Sequence, residues 1–349
     1  MTLKELFKKN RNIIINTDID GILSGAILVK YCDCRIVGFT NSKDCVWLAD
    51  GHDDLYKHVY IDMFVTDEKT TCIDQHIVAL DNNHMRDIIS TRCKYSPQSD
   101  DENNLRTFTK KEFENKYPFG TFQYLIAQLE NEGIEISLPD LNSPVLNSEI
   151  TIGDIIHRAD DAMNTSLCSK YVKNAKFWWD WLEKKAPEGS IKVMRRYLEE
   201  LKQASDAIVD SIPTGDGKKR KKHKNSEYIA KRKEKVEDIK KKTKEYFKSQ
   251  FQCRTSDGGF SIITDEHNNL LPNIEKYIKT IFALLDINDI SIPKHYNVHK
   301  GIGCRTKWLD IFKDDFLKDY TICGHKIFSY AFIYNPDGGV NFSFTIDMK

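Results

Sequence analysis

The sequence predicts an α/β fold: an N-terminal domain built on a doubly wound parallel sheet, a helical linker, and a smaller α/β C-terminal domain. Three observations predict it. NIIIN, at 12–16, is the continuous apolar run expected of a strand buried on both faces. ILSGAILVKYC, directly after Gly21, has apolar residues at helical spacing. Further short β runs follow, and strand, helix and strand in that order imply right-handed crossovers and parallel pairing.

Taken in order, RIVGF (35–39) is the second strand, VYIDMF (59–64) the third and TTCID (70–74) the fourth. GTFQYLIAQLENEG (120–133) and SEITIGDIIHRADDAMN (148–164) read as helices, the second opened by a capping box from Thr151 to Asp154. This first domain spans 1–165. From 166 to 251 helices dominate: KFWWDWLEKK and SIKVMRRYLEELKQASDAIVDSI are amphipathic, PTGDGKKRKKHKN is a Pro/Gly break, and a Lys-rich helix follows. The aromatics of FWWDWL, at helical spacing, read as core. Residues 252–349 return to mixed structure, with GGFSIIT a strand, LLPNIEKYIKTIFALLD and TKWLDIFKDDFLKD helices, and KIFSYAFIYNPDGGVNFSFTI a hairpin.

Composition narrows the class. The 349 residues exceed one typical domain, and 40% hydrophobic residues suffice for a core. No apolar run reaches the roughly 18 residues that span a bilayer, and the charged N-terminus lacks the apolar centre of a signal peptide. Nine scattered cysteines form neither a disulfide framework nor a paired CxxC zinc pattern. A soluble protein in the reducing cytoplasm is the expectation. Lys+Arg and Asp+Glu balance at 52 each, yet 218–248 alone holds fifteen basic against five acidic residues. A basic band thus crosses an otherwise acidic chain.

The strand ends carry the chemistry. In a parallel α/β sheet, ligands bind beyond the carboxyl ends of the strands. Asp18 and Asp20 follow the first strand, Asp62 ends the third, and Asp74 and His76 end the fourth. So many carboxylates in one crevice would repel unless a cation compensated them. Oxygen ligands with one imidazole suit Mg²⁺ or Mn²⁺ better than zinc. One or two such ions would support phosphoester hydrolysis. The plainer alternative is that an Asp after a buried strand is a turn former or helix N-cap.

In order and context, NTDIDGILSG, VYIDMF, CIDQHI and HRADDA resemble motifs one to four of the DHH phosphoesterase family. That family includes RecJ exonucleases, oligoribonucleases, cyclic dinucleotide phosphodiesterases and family II pyrophosphatases. The resemblance covers about residues 10–165, and D-x-D-G-x-x-S is its most specific part. It implies that Asp18 and Asp20 are ligands of two metal ions, that Asp62 bridges them, that His76 lies near the scissile phosphate, and that Asp160, with Asp161 as rival, is the fourth-motif ligand. Asp62, Asp74 and His76 form the expected catalytic set.

Two positions depart from the family. Gln75 stands where the family has a metal-binding His; its neutral carbonyl can coordinate Mg²⁺ or Mn²⁺ but is a weaker ligand toward transition metals. Asn16 stands where a further acid often occurs. The expected function is therefore metal-dependent hydrolysis of a phosphodiester or phosphomonoester in a nucleotide, oligonucleotide or nucleic-acid end. The alternative is a catalytically weakened module that binds nucleic acid, a nucleotide signal or a protein partner.

Two features remain outside that domain. HKGIGCRT (299–306), with Lys300 and Arg305 and a helix expected after it, is the nearest counterpart of the glycine-rich loop with which many DHH enzymes close over substrate. A glycine turn with solvated charges is the equal alternative. The band at 218–248 could contact a nucleic-acid backbone or act as a solvated linker. Oligomeric state is not legible.

Overall fold

The apolar run at Asn12–Asn16 forms β1, the middle of a seven-stranded sheet ordered β6-β5-β4-β1-β2-β3-β7. In the computed structural model the described residues are 2–79, most of 86–137, 172–186, parts of 241–252 and most of 259–349. Helix α1 (Leu3–Lys9) opens the chain with a capping box between Thr2 and Glu5. After β1 come α2 (Ile19–Cys32), β2 (Arg35–Thr40), β3 (Cys45–Ala49), β4 (Val59–Ile61), β5 (Cys72–Ile73), β6 (Lys94–Tyr95) and the short α3 (Pro97–Asp100). Then follow α4 (Thr121–Asn131), α5 (Val172–Lys185), α6 (Pro272–Ala283) and the strands β7 (Tyr296–Lys300), β8 (Ile302–Lys307), β9 (Leu317–Lys318), β10 (Thr321–Ile322), β11 (His325–Tyr334) and β12 (Val340–Ile346).

The expected parallel core is present: β1 pairs in parallel with β2 and β4, β4 with β5, and β5 with β6. The sheet as a whole is mixed, because β3 runs antiparallel to both β2 and β7. β3 was not expected. Its cause is a tight turn in which Asn41 Oδ1 accepts from the backbone amides of Lys43, Asp44 and Cys45, folding the chain straight back along β2.

Double winding needs correction too. On one face α2 packs so closely that a Cβ on Gly25 would stand 2.9 Å from Ile15 Cδ1. On the other, Ile14, Val37, Leu48 and Tyr60 share a buried cluster with Leu55 and Phe328, and Met348 packs against it. Among the described residues that second face is covered by a β-strand side chain, Phe328 of β11, where a helix was expected.

The C-terminal strands form a five-stranded sheet, β8-β12-β11-β10-β9, whose antiparallel β11–β12 pair is the expected hairpin; its turn, 335–339, lies outside the described residues. GGFSIIT is not a strand. Phe260 is instead fixed by Thr17, whose hydroxyl donates to its carbonyl and accepts from its amide, and Thr264 makes only an isolated bridge to Leu270. The ends of the expected helix at 306–319 are strand, Thr306 and Lys307 in β8 and Leu317–Lys318 in β9.

Three successive domains were expected; the contacts divide the chain differently. One unit comprises 1–115, 120–125 and 259–349, the other 116–119 and 126–258. Residues 259–349 join the first unit because β7 is the edge strand of its sheet. In the second unit Trp178 and Trp179 of α5 are buried, with Trp178 edge-on to Tyr117, so these aromatics are core as expected, while Phe177 is exposed. The expected helix at 148–164, with its capping box and with Asp160 and Asp161, lies outside the described residues, as does most of the basic band. No helix of the described residues is long and apolar enough to cross a membrane.

Candidate metal centre

β1, β4 and β5 are neighbours in the sheet, so the acidic residues that follow them emerge side by side. Asp62, directly after β4, has φ of 59°. A non-glycine residue in the left-handed region costs backbone energy and is held there by its surroundings. Its amide donates to Ile73 O at 2.8 Å. The buried carboxylate takes two donors, Thr121 Oγ1 at 2.8 Å and Asn16 Nδ2 at 3.0 Å.

Asp74, directly after β5, is equally buried. Its Oδ1 accepts from the backbone N–H of His76 at 3.0 Å and lies 2.8 Å from His76 Nδ1. Nδ1 of His76 is also 3.8 Å from Asp62 Oδ1, while the imidazole is 45% exposed and so open to solvent on one side. Among the described residues, Asp62, Asp74 and His76 are the one group of three whose ligand atoms all lie within 4.8 Å of one another.

Burial pushes the Asp62 carboxyl well above the usual carboxylate range, and the charges of Asp20 and Asp74 push it further. The bonds from Asn16 and Thr121 act in the opposite sense without cancelling that. Among the described residues the ion-pair partner of both Asp62 and Asp74 is His76. Asp62, Asp74 and His76 could together hold a metal ion, which would compensate this charge, and a donor set of two carboxylates and an imidazole is of the kind that suits Mg²⁺ or Mn²⁺.

Gln75 lies against this group, 1% exposed. Its amide nitrogen is 2.6 Å from His76 Nε2. With Nδ1–H given to Asp74, the Nε2 lone pair of a neutral ring can accept from that amide. Gln75 Oε1 is buried with no hydrogen-bond partner.

The two leading aspartates stand differently. Asp18 is the N-cap of α2, with Oδ1 accepting from Gly21 N at 2.9 Å and Oδ2 from Asn16 Nδ2 at 2.9 Å. Here the plainer N-cap reading holds. Gly21 is needed because α2 starts hard against the end of β1: a Cβ would stand 2.6 Å from Asn16 Cβ. Asp20, 1% exposed, accepts from Thr121 N at 3.0 Å and Phe122 N at 2.8 Å, the first two amides of α4. A carboxylate there satisfies amides that have no partner inside the helix and faces the positive end of its dipole.

Lys300 and Arg305 are not brought into the group. Lys300 ends β7, opposite Cys45, and Arg305 is exposed in β8, opposite Ser343. The glycine-rich stretch is no turn before a helix. Gly301 passes the chain from β7 into β8, its amide donating to Asp44 O at 2.8 Å.

Thr121 was not singled out from the sequence, and Asn16 was noted only as standing where a further acid often occurs, not for the bonds it makes. Asn16 bridges Asp18 and Asp62, and Thr121 joins α4 to Asp62. The signal for Thr121 was a Gly–Thr pair opening a helix, which by itself reads as ordinary helix entry. Comparison with protein-family models, with curated proteins and with solved structures found no match.

Proposed function

We propose that this crevice binds a divalent cation, Mn²⁺ or Mg²⁺, and that the protein is a cytoplasmic phosphoesterase of the DHH kind, hydrolysing a phosphodiester or phosphomonoester in a nucleotide, oligonucleotide or nucleic-acid end. The observation that carries this reading is the meeting of Asp62, Asp74 and His76 beyond adjacent strand ends, with both carboxylates buried and short of positive charge. Asp62 and Asp74 would hold the ion, with His76 beside them. A bound ion of this type polarises a phosphoryl group and lowers the pKa of a water molecule.

The chain's own groups have separable tasks. Asn16 and Thr121 fix the Asp62 carboxylate through its two oxygens. Asp74 orients the imidazole through Nδ1. The exposed side of His76 faces an arriving phosphate and donates to it when protonated. Lys300 and Arg305 would add positive charge for an extended anionic substrate. The second reading, a module that binds without cleaving, is favoured by one observation: both Asp20 oxygens are committed to the amides of α4.

Hydrolysis of short oligonucleotides, cyclic dinucleotides, phosphoadenosine phosphate and pyrophosphate, with Mn²⁺ and with chelator, tests the proposal. Metal-dependent release of product, reduced at least about 100-fold in Asp62→Ala, is expected. Tight binding of one of these compounds without turnover would move the assignment to the binding module. Activity that survives Asp62→Ala would place the reaction elsewhere.

A further inference from the structure

The two-ion arrangement implied by the resemblance requires Asp18 and Asp20 as ligands, and the structure commits both elsewhere. Asp18 caps α2 and holds Asn16, and Asp20 closes the N-terminus of α4 with both oxygens. Neither enters the group of ligand atoms lying within 4.8 Å of one another. The carboxylates inside that group are Asp62 and Asp74, and with His76 they outline one ion position. Among the described residues no second group of three such ligand residues lies together.

One further donor lies at the same place. Gln75 Oε1 is buried on a 1% exposed side chain and has no partner, although the amide nitrogen of the same side chain sits 2.6 Å from the imidazole that Asp74 holds. A buried amide oxygen without a donor is uncommon, because desolvation is then uncompensated. Amide oxygens are ordinary ligands for hard cations.

We infer that the centre takes a single hard divalent cation, with Gln75 Oε1 as a ligand beside the carboxylates of Asp62 and Asp74, and that Asp20 is a structural cap for α4. The inference rests on the phosphoesterase reading for the presence of a metal, and it differs from that reading in the number of ions and in the part played by Gln75. The oxygen-rich set selects Mn²⁺ or Mg²⁺ over Zn²⁺.

The test is Mn²⁺ binding by the full chain, read as bound ions per chain by equilibrium dialysis and as loss of the free-ion signal in electron paramagnetic resonance. Wild-type protein is expected to bind one Mn²⁺. Gln75→Leu, which removes the oxygen but retains an apolar filler, should weaken Kd by about tenfold or more, and Gln75→Glu, which adds a charged oxygen, should tighten it. Thermal melting of the metal-free variants establishes that each is folded, and the Leu variant should melt no lower than wild type. Two ions per chain, with the spectrum of a coupled Mn²⁺ pair, would overturn the one-ion inference and leave the phosphoesterase reading standing. No bound ion would overturn both. One ion held with unchanged Kd in Gln75→Leu would overturn the role of Gln75.

Discussion

Asp20 occupies the space that a side chain at position 120 would need: a Cβ built on Gly120 stands 2.5 Å from Asp20 Oδ2 and 2.7 Å from Oδ1. The glycine therefore lets the carboxylate reach the first amides of α4, across 101 positions of sequence in the case of Thr121. Gly120→Ala should displace that carboxylate and lower stability by about 1–3 kcal/mol, measured by denaturant unfolding. Equal midpoints for variant and wild type would show that the Asp20–α4 contact is dispensable.

Asp62 stands in the opposite position, buried beside charges of its own sign. Asp62→Asn keeps the shape, and the Thr121 hydroxyl can reverse to accept from the new amide. The metal-free variant should be more stable than wild type by about 1–2 kcal/mol at neutral pH, because a buried, repelled carboxylate has been removed. Its Mn²⁺ affinity should fall. Differential scanning calorimetry with and without metal checks both effects, and a lower melting temperature for the metal-free variant would contradict the electrostatic account.

His58 gives the fold an acid-sensitive point. Its ring is 3% exposed, lies edge-on to His52 at 5.2 Å, and has no hydrogen-bond partner at either nitrogen. Burial, aided by His52, pulls its pKa down to about 4 from the usual 6.5. The unfolded chain then binds the extra proton first. The contribution is complete above pH 6.5, declines as pH falls below it, and is gone once pH passes about 4. Over that window stability should fall by an amount on the order of 3 kcal/mol. His58→Phe should flatten this part of the curve, and an unchanged acid limb in the variant would assign the sensitivity elsewhere.

Lys94 is a buried cation satisfied by carbonyls. Its ammonium donates to Asp67 O at 2.7 Å and Thr70 O at 2.5 Å, contacts Cys72 Sγ at 3.6 Å, and lies 5.6 Å from the centre of the Phe64 ring. Lys94→Met removes the ammonium from both carbonyls, leaving Asp67 O with the Thr70 amide at 3.3 Å and Thr70 O with only the Cys72 thiol at 3.8 Å, and should cost about 1–3 kcal/mol. Because β5 delivers Asp74, the same variant should also weaken metal binding. Urea titration and Mn²⁺ affinity measured on one preparation would expose any separation of the two effects.

Local pattern made the centre's scaffold legible. Period and composition predicted β1, α2, the parallel strands and the C-terminal hairpin, and with them the positions of Asp18, Asp62, Asp74 and His76 at strand ends. What escaped depends on distant partners. Nothing near Asp20 shows that its oxygens belong to α4, and nothing within GGFSIIT shows that Thr17 holds Phe260 in place of a strand neighbour. β3 was missed for a local reason, the Asn41 turn, whose geometry depends on one side chain bonding three successive amides. HKGIGCRT misled because glycine and basic residues before a supposed helix look alike whether they cradle an anion or pass from one strand into the next.

β7 also has a temporal consequence. It pairs with β3 along five positions from Cys45↔Lys300 to Ala49↔Tyr296, a contact joining points about 250 residues apart. A chain emerging from the ribosome displays β3 as an open antiparallel edge until residues 296–300 have emerged. Such an edge is a template for mispairing with other chains, and closing a loop of this length is slow. Completion of this sheet therefore waits for β7, and a fragment ending before residue 296 should aggregate even though it carries Asp62, Asp74 and His76.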